Sequence, residues 1–377
     1  MVRFIKSCFG EPIKYPIFHW YLIEVGQRAM KLGVDKIFFL SREGIWLTDQ
    51  YEKLRLRARQ PGQYPRACHL AVSRFSTYLP SFHSVEAAIS DFRRGQYKNA
   101  SERALMSSLG HEGEGDPVIH LERRRVSQRE ALTAYLNRHG ISERERVLVA
   151  DIGWRGSIQD NLARLYPDNL WLGYYFHLQP FFSEQAENVR KKEVLIPEGS
   201  RTVALLRRLR FGAPLEFLLT DRSGAVIGYD IVDGTSIPNI EQKKDLFGPE
   251  VWSQILSLRA TMEQMASHWS LDTISHGKRA LDETIMLLER PHRSVYEPYF
   301  AAQRDERFGS GEMLSSDRLA ATDLIVALLS AERRQSAAEK LATSGWPWAL
   351  LQRDVPHIAP VIRRLLIALD VSLSKRG

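Results

Sequence analysis

Short apolar runs alternate with helical patterns along the first 180 residues of the chain. Residues 36–40 (Lys-Ile-Phe-Phe-Leu) form a run typical of a buried strand, and Leu47, Tyr51 and Leu54 then recur at the spacing of one helix face. Further strands are predicted at residues 69–73, 147–150 and 170–176. This alternation is typical of βα units, whose strands form a parallel sheet.

Start and stop signals place the helices between these strands. A helix is predicted over 85–94, and Ser127 with Glu130 forms a capping box that begins another, which ends before Gly140. A further helix begins near residue 158 and ends before Pro167.

After about residue 180 helical periodicity dominates, apart from a hairpin pattern at 225–237 with Asp233-Gly234 at its turn. Helices are predicted there at 250–269, 278–289, 317–329 and 361–371. We therefore predict an α/β protein with a parallel Rossmann-like sheet in residues 1–180 and a mainly helical region with one β-hairpin in residues 181–377.

Composition narrows the class of protein. With 377 residues, 44% of them hydrophobic and 26% charged, the chain is too apolar to be disordered. The chain has two cysteines, Cys8 and Cys68, which are too few for a disulfide framework and do not have the spacing of zinc ligands. The sequence shows no apolar stretch long enough to span a membrane and no signal peptide, so we expect a reduced, cytoplasmic protein.

The chain is basic, with a net charge of +7 and a pI near 9.3. Its arginines cluster in runs at 123–125 and 207–210. An anionic partner is therefore expected, and nucleic acid, a phosphorylated metabolite and an acidic membrane surface all satisfy this condition.

Polar groups with functional potential follow three of the predicted strands. The segments are Ser41-Arg42-Glu43-Gly44, Ser73-Arg74 and Asp151-Ile152-Gly153-Trp154-Arg155-Gly156-Ser157. Because ligands of open parallel sheets bind at the carboxyl ends of the strands, the three segments are expected to face one crevice.

The third segment has the residues of a phosphate-binding loop. Gly153 and Gly156 allow close backbone approach, the following helix offers its N-terminal N–H groups, and Arg155 adds charged donors. Asp151 suits sugar hydroxyls or a divalent metal ion. The alternative is that Ser157 only caps the helix, with Asp160 completing the cap.

The first segment suits a second phosphate. Its alternative is an ordinary turn in which Arg42 and Glu43 form a surface ion pair. Two phosphate loops and one carboxylate at one sheet edge together predict a sugar that carries phosphate at both ends.

The same segments, followed by Leu215-Glu216-Phe217 and by Gly224 to Tyr229, occur in an order that resembles a known family. It is that of the glycan-directed phosphoribosyltransferase (ribofuranosyltransferase) domains of bacterial polysaccharide biosynthesis, which are often fused to a haloacid-dehalogenase-like phosphatase. The chain more distantly resembles type I phosphoribosyltransferases, with Asp151 standing alone where those enzymes have two acidic residues.

The resemblance implies a phosphoribosyltransferase-like sheet and transfer of a 5-phosphoribosyl group from PRPP (5-phosphoribosyl 1-pyrophosphate) to a lipid-linked glycan of an O-antigen or capsule. Arg42 and the Gly44 backbone would bind pyrophosphate with Mg²⁺, and the loop from Gly153 to Ser157 would bind the 5-phosphate. Either Asp151 or Glu43 would be the base, and Asp151 a metal ligand. The implied substrate-binding residues are Ser41, Arg42, Gly44, Ser73, Arg74, Gly153, Trp154, Arg155, Gly156, Ser157 and Gln159.

A separate dehalogenase-like phosphatase is expected to remove the 5-phosphate. Asp230 and Asp233 lie three positions apart, whereas the nucleophile loop of such phosphatases needs two carboxylates two apart. On this interpretation no nucleic acid is a partner.

Two other functions remain open: a regulatory or nucleic-acid-binding protein on the same scaffold, and a glycosyltransferase that uses a nucleotide sugar. A basic amphipathic pattern at 361–366, after Trp346 and Trp348, suggests either peripheral contact with the inner face of the cytoplasmic membrane or a helix docked on the domain.

Overall fold

The computed structural model describes residues 16–94, 101–111, 115–153, 155–178, 181, 184–194, 212–241 and 248–273, and shorter pieces between residues 280 and 364. Its centre is a parallel sheet of five strands in the order β2-β1-β3-β4-β5. The strands are β1 (Lys36–Leu40), β2 (Arg66–Leu70), β3 (Arg146–Asp151), β4 (Leu170–Tyr175) and β5 (Val189–Glu193). The predicted α/β class with a parallel sheet is confirmed.

Helices cover both faces of the sheet. In chain order they are α1 (Ile17–Leu32), α2 (Glu43–Leu56), α3 (Arg74–Ser81), α4 (Val85–Arg94), α5 (Glu102–Ser108), α6 (Pro117–Arg138), α7 (Ser157–Leu165), α8 (Gly212–Leu219), α9 (Gly248–Met265), α10 (Arg293–Ala301) and α11 (Pro347–Asp354). Alternate residues of β1 explain the layers: Ile37 and Phe39 pack with α1, α2 and the later helices, while Phe38 and Leu40 pack with α6 and α7.

Several predicted elements differ from the structure in their bounds. The strand predicted at 69–73 lies at Arg66–Leu70, in register with β1 from Lys36↔Arg66 to Leu40↔Leu70. The prediction of a helix start at Ser127 is wrong, because Asp116 caps α6 by accepting from the Val118 and Ile119 N–H groups. Predicted strand 170–176 ends one residue earlier, at Tyr175.

The hairpin predicted around Asp233-Gly234 is confirmed as β6 (Val226–Val232) and β7 (Thr235–Ile240). A second small sheet pairs β8 (Arg304–Asp305) with β9 (Met313–Leu314). The helix predicted at 250–269 is α9, whereas those predicted at 278–289, 317–329 and 361–371 lie largely outside the described residues.

The sheet continues beyond residue 180, since β5 belongs to it, and one core cluster contains residues of α1 and α2 together with residues of α8 to α11. The division at residue 180 stays a prediction. In the part of the chain that the structure describes, every helix is too short or too polar to cross a membrane.

Candidate functional site

The strand order places a crevice between the ends of β1 and β3. β1 pairs on one side with β2 and on the other with β3, so the connections after β1 and β3 leave toward opposite faces of the sheet. Consistent with this, α2 packs in the cluster on one face and α7 in the cluster on the other. Such a switch point is where open α/β sheets bind ligands.

The first predicted loop lies at this point and is held tightly. Ser41 has a φ of +63°, and its carbonyl lies 2.7 Å from His69 Nε2. Its hydroxyl donates to the Val72 carbonyl at 3.2 Å. A Cβ on Gly44 would lie 2.8 Å from the carbonyl carbon of Phe39, so only glycine lets α2 begin this close to β1.

Three carboxyl groups influence one another in the crevice: Glu43 from the start of α2, Asp151 from the end of β3, and Glu216 from α8. Glu43 is buried and makes no hydrogen bond or ion pair with the described residues. Asp151 and Glu216 are partly exposed.

Burial raises the pKa of Asp151 to about 8, with repulsion from Glu43 as the next cause, while the Ile152 N–H and Arg74 oppose the shift. Burial also raises the pKa of Glu216 to about 8, followed by repulsion from Glu43 and Asp151. Asp151 and Glu216 therefore favour a bound proton or a nearby cation.

Two arginines balance these acids. Arg42 and Arg74 both oppose the rise in the pKa of Glu216. The Arg42 side chain makes no hydrogen bond or ion pair with the described residues, so its donors are available to a ligand. Arg74 is the exposed first residue of α3 and follows Ser73, whose hydroxyl caps that helix and donates to the Val226 carbonyl at 2.6 Å.

The loop after β3 packs closely on the end of β4. Gly153 has a φ of +150°, and a Cβ there would lie 1.9 Å from the His177 carbonyl oxygen. Gly156, with a φ of +64°, is the N-cap of α7, and its Cβ would lie 2.6 Å from the Tyr175 hydroxyl. The alternative that Ser157 caps this helix is wrong, because Ser157 is its first residue. Trp154 lies outside the described residues.

A buried lysine of β5 holds the loop after β3 in place. Lys191 Nζ donates to the Arg155 carbonyl at 2.9 Å and pairs with Asp160 at 2.6 Å, and 1% of its side chain is exposed. Burial lowers the pKa of Lys191 and raises that of Asp160, and the ion pair opposes both shifts. The lysine thereby ties the loop to the first turn of α7.

Gln159 does not face the crevice. Its side chain is completely buried, donates to the Trp171 carbonyl at 2.9 Å and accepts from the Tyr175 hydroxyl at 2.8 Å. These bonds join α7 to the sheet, so the predicted substrate contact finds no support.

Several residues near the crevice were not proposed from the sequence as site residues. From the sequence, Glu216 was noted only as part of the motif Leu215-Glu216-Phe217. The one sequence signal for a functional role is that Glu216 is a single acidic residue in an apolar stretch. His69 lies against Ser41 and Gly44, and burial lowers its pKa while Asp221 and Glu43 oppose the shift. The predicted strand 69–73 put His69 at its start, so no sequence signal indicated a place beside the crevice.

The carboxylates fit a magnesium ion shared with a ligand better than an ion held by protein alone. Within the described ranges no three His, Cys, Asp or Glu side chains form a metal-binding group. Mg²⁺ commonly uses one or two carboxylates and takes its other ligands from substrate phosphates and water. Asp151 and Glu43, whose mutual repulsion a cation would relieve, fit that arrangement.

The C-terminal tryptophans face the interior. Trp346 and Trp348 are 1% and 2% exposed, and Trp346 Nε1 donates to the Leu288 carbonyl. Neither is placed to contact a membrane, and half of the basic pattern at 361–366 lies outside the described residues.

No protein-family model matches this chain, and no curated protein sequence matches it significantly.

Proposed function

We propose that the chain is a glycan phosphoribosyltransferase, which transfers a 5-phosphoribosyl group from PRPP to a glycan acceptor in bacterial surface polysaccharide biosynthesis. The observation that carries the proposal is the adjacency of β1 and β3, which brings the loop from Ser41 to Gly44 and the loop from Asp151 to Ser157 to one crevice. A sugar with phosphate groups at both ends would bridge these two loops.

On the donor side, Arg42 and the N-terminal N–H groups of α2 would bind pyrophosphate. Arg42 has no partner among the described residues, and a helix N-terminus favours an anion. The first N–H groups of α7 and the side chain of Arg155 would bind the 5-phosphate, and Arg74 would contact one of the two phosphate groups.

In the reaction the bond from C1 to the pyrophosphate oxygen breaks, a bond from C1 to the acceptor oxygen forms, and the hydroxyl proton passes to a carboxylate. Asp151 or Glu43 would accept that proton. The raised pKa of Asp151, about 8, suits proton transfer near neutral pH. The remaining acids would stabilise positive charge that develops on the ribose ring.

A Mg²⁺ ion bound by Asp151 or Glu43 together with pyrophosphate would neutralise charge on the leaving group. The arginine side chains of the crevice would donate hydrogen bonds to the same pyrophosphate oxygens.

The acceptor is proposed to be a lipid-linked glycan at the cytoplasmic face of the membrane, and another protein, a dehalogenase-like phosphatase, would remove the 5-phosphate. In the hairpin, Asp230 lies in β6 and Asp233 in the turn before β7, and their spacing is wrong for that phosphatase chemistry.

The proposal is tested by measuring pyrophosphate release from PRPP with and without an oligosaccharide acceptor. We expect release only with acceptor, a pentose phosphate added to the glycan by mass spectrometry, and loss of both with Asp151→Asn. Asp35→Asn, at an exposed position before β1, is the matched control and should behave as the wild type.

Failure of the wild type to release pyrophosphate with any acceptor would contradict the proposal. Retention on nucleic acid that salt abolishes would then favour the regulatory function. Turnover of a nucleotide sugar instead of PRPP would favour the other glycosyltransferase.

A further inference from the structure

Arg259 of α9 is a buried guanidinium held in one orientation. It is 6% exposed, its Nε donates to the Leu218 carbonyl at 3.0 Å, and its Nη2 donates to the Thr220 carbonyl. These carbonyls stand at the C-terminal end of α8, where a helix leaves acceptors without partners. Two of the three guanidinium nitrogens are therefore fixed by backbone.

Two tryptophan rings flank the same group. The guanidinium carbon lies 5.8 Å from the ring centre of Trp46 and 5.6 Å from that of Trp252. Trp46 is itself held by a hydrogen bond from Nε1 to Glu263 at 3.0 Å. Trp46 follows Glu43 by about one turn of α2. Arg259 therefore lies on the side of the crevice formed by α2, α8 and α9, which we call the helical side.

The third nitrogen, Nη1, makes no hydrogen bond with a described residue, and no carboxylate among those residues forms an ion pair with Arg259. Glu43, Asp221 and Glu263 act on it only from a distance, opposing the lowering of its pKa by burial. Lys191, whose side chain is also buried, differs in having a close counter-ion, Asp160.

A desolvated charge with no counter-ion among the residues that the structure describes is costly, and Arg259 remains protonated at neutral pH because burial lowers its pKa only to about 10. Rigid placement reduces the entropy that the side chain would lose on binding a ligand. An arginine in this state is a preorganised site for a planar or tetrahedral oxyanion.

We infer that Arg259 binds an acid group of a substrate, a phosphate or a carboxylate, on the helical side of the crevice. The acid group has two possible sources, the pyrophosphate of the donor and an acidic sugar of the acceptor glycan. The inference of an oxyanion site rests on the geometry of Arg259, and only its place in a transfer reaction rests on the proposed function.

Binding is measured directly by calorimetry with three probes: inorganic pyrophosphate, a uronic-acid oligosaccharide and a neutral oligosaccharide of equal length. We expect Arg259→Gln to weaken binding of one acidic probe by roughly 10- to 100-fold and to leave the neutral probe unchanged. Loss of pyrophosphate affinity assigns the donor, and loss of uronic-acid affinity assigns the acceptor.

Arg57→Gln is the matched control. Arg57 also donates to backbone carbonyls after a helix, those of Ala266, Ser267 and Trp269, but is exposed. Its variant should lose stability without losing affinity for either acidic probe. Arg259→Lys keeps the charge and is measured in parallel, with an intermediate affinity expected, so that misfolding of the glutamine variant would not remove the test.

Unchanged affinities for both acidic probes in Arg259→Gln and Arg259→Lys would make Arg259 a helix-capping residue only and would overturn the inference, as would a wild type that binds neither probe. An anion that binds through Arg259 in a protein that never releases pyrophosphate from PRPP would leave the inference standing and remove the proposed function.

Discussion

Replacing Asp151 by asparagine is expected to stabilise the protein while it removes activity. Asparagine keeps an oxygen that can accept the Ile152 N–H bond, 2.8 Å in the native protein. It removes the negative charge that burial and Glu43 disfavour. A protein whose active-site residues are selected for catalysis should be less stable than a variant in which the disfavoured buried charge is removed.

The pKa of Asp151 rises from an ordinary 3.8 to about 8. One unit corresponds to about 1.4 kcal/mol, so the charge would cost at most about 4 kcal/mol at pH 7, and we expect the variant to gain about 1–3 kcal/mol there. The pKa of Asp151 is higher in the folded state than in the unfolded state. The contribution of this group to the free energy of unfolding is therefore fully present below pH 4 and is lost as the pH rises to about 8.

The assay is urea unfolding of both proteins at pH 5, 6, 7 and 8, at constant ionic strength with EDTA present. The difference in the free energy of unfolding should grow with pH and level off above pH 8. Glu216→Gln should show the same trend, and the double variant should gain less than the sum because the two acids repel each other. An advantage that does not change with pH, or a less stable variant at pH 8, would refute this reasoning.

Three further outcomes are expected. Arg42→Gln should raise the KM for PRPP roughly 10-fold or more with little change in melting temperature, measured by steady-state kinetics and thermal unfolding, because its guanidinium has no partner among the described residues. Gly153→Ala should lower the free energy of unfolding by roughly 3 kcal/mol or more, since its Cβ would lie 1.9 Å from the His177 oxygen, whereas Gly62→Ala should be nearly neutral in the same urea titration. Lys191→Met should lower the free energy of unfolding by about 3–5 kcal/mol, because Asp160 loses its partner, and should weaken PRPP binding measured by calorimetry. Lys191→Arg should recover part of the stability and part of the affinity. Full PRPP affinity in the methionine variant would contradict a role of Lys191 in positioning the loop.

The sequence predicted the elements that carry a strong local pattern. β1 and α4 have the predicted bounds, because one is a continuous apolar run and the other an amphipathic helix. β5 was missed because Val-Arg-Lys-Lys-Glu is mostly polar, and its pairing with β4 at the sheet edge decides its conformation. In α6 two local start signals compete: Asp116, followed by Pro117 at the first helical position, caps the helix, and Ser127 lies within it.

For the candidate site, the sequence predicted the residues that follow strands and missed those that arrive from a distance. Glu43 and Asp151 could be placed at one edge because parallel strands share it. Glu216 and Arg259 reach the crevice from helices far along the chain, and one sequence carries no signal of that proximity. Gln159 lies in the first turn of α7, and this helical position directs its side chain into the core and away from the crevice.

The central place of β1 in the sheet has a consequence for synthesis of the protein on the ribosome. β1 can pair with β2 early, but its other edge waits for β3, which emerges only after α6 has been made. Until then the nascent chain presents the unpaired edge of Ile37, Phe38 and Phe39, a sequence suited to association with other unfinished chains. Fragments that end before residue 146 should therefore aggregate or need a chaperone.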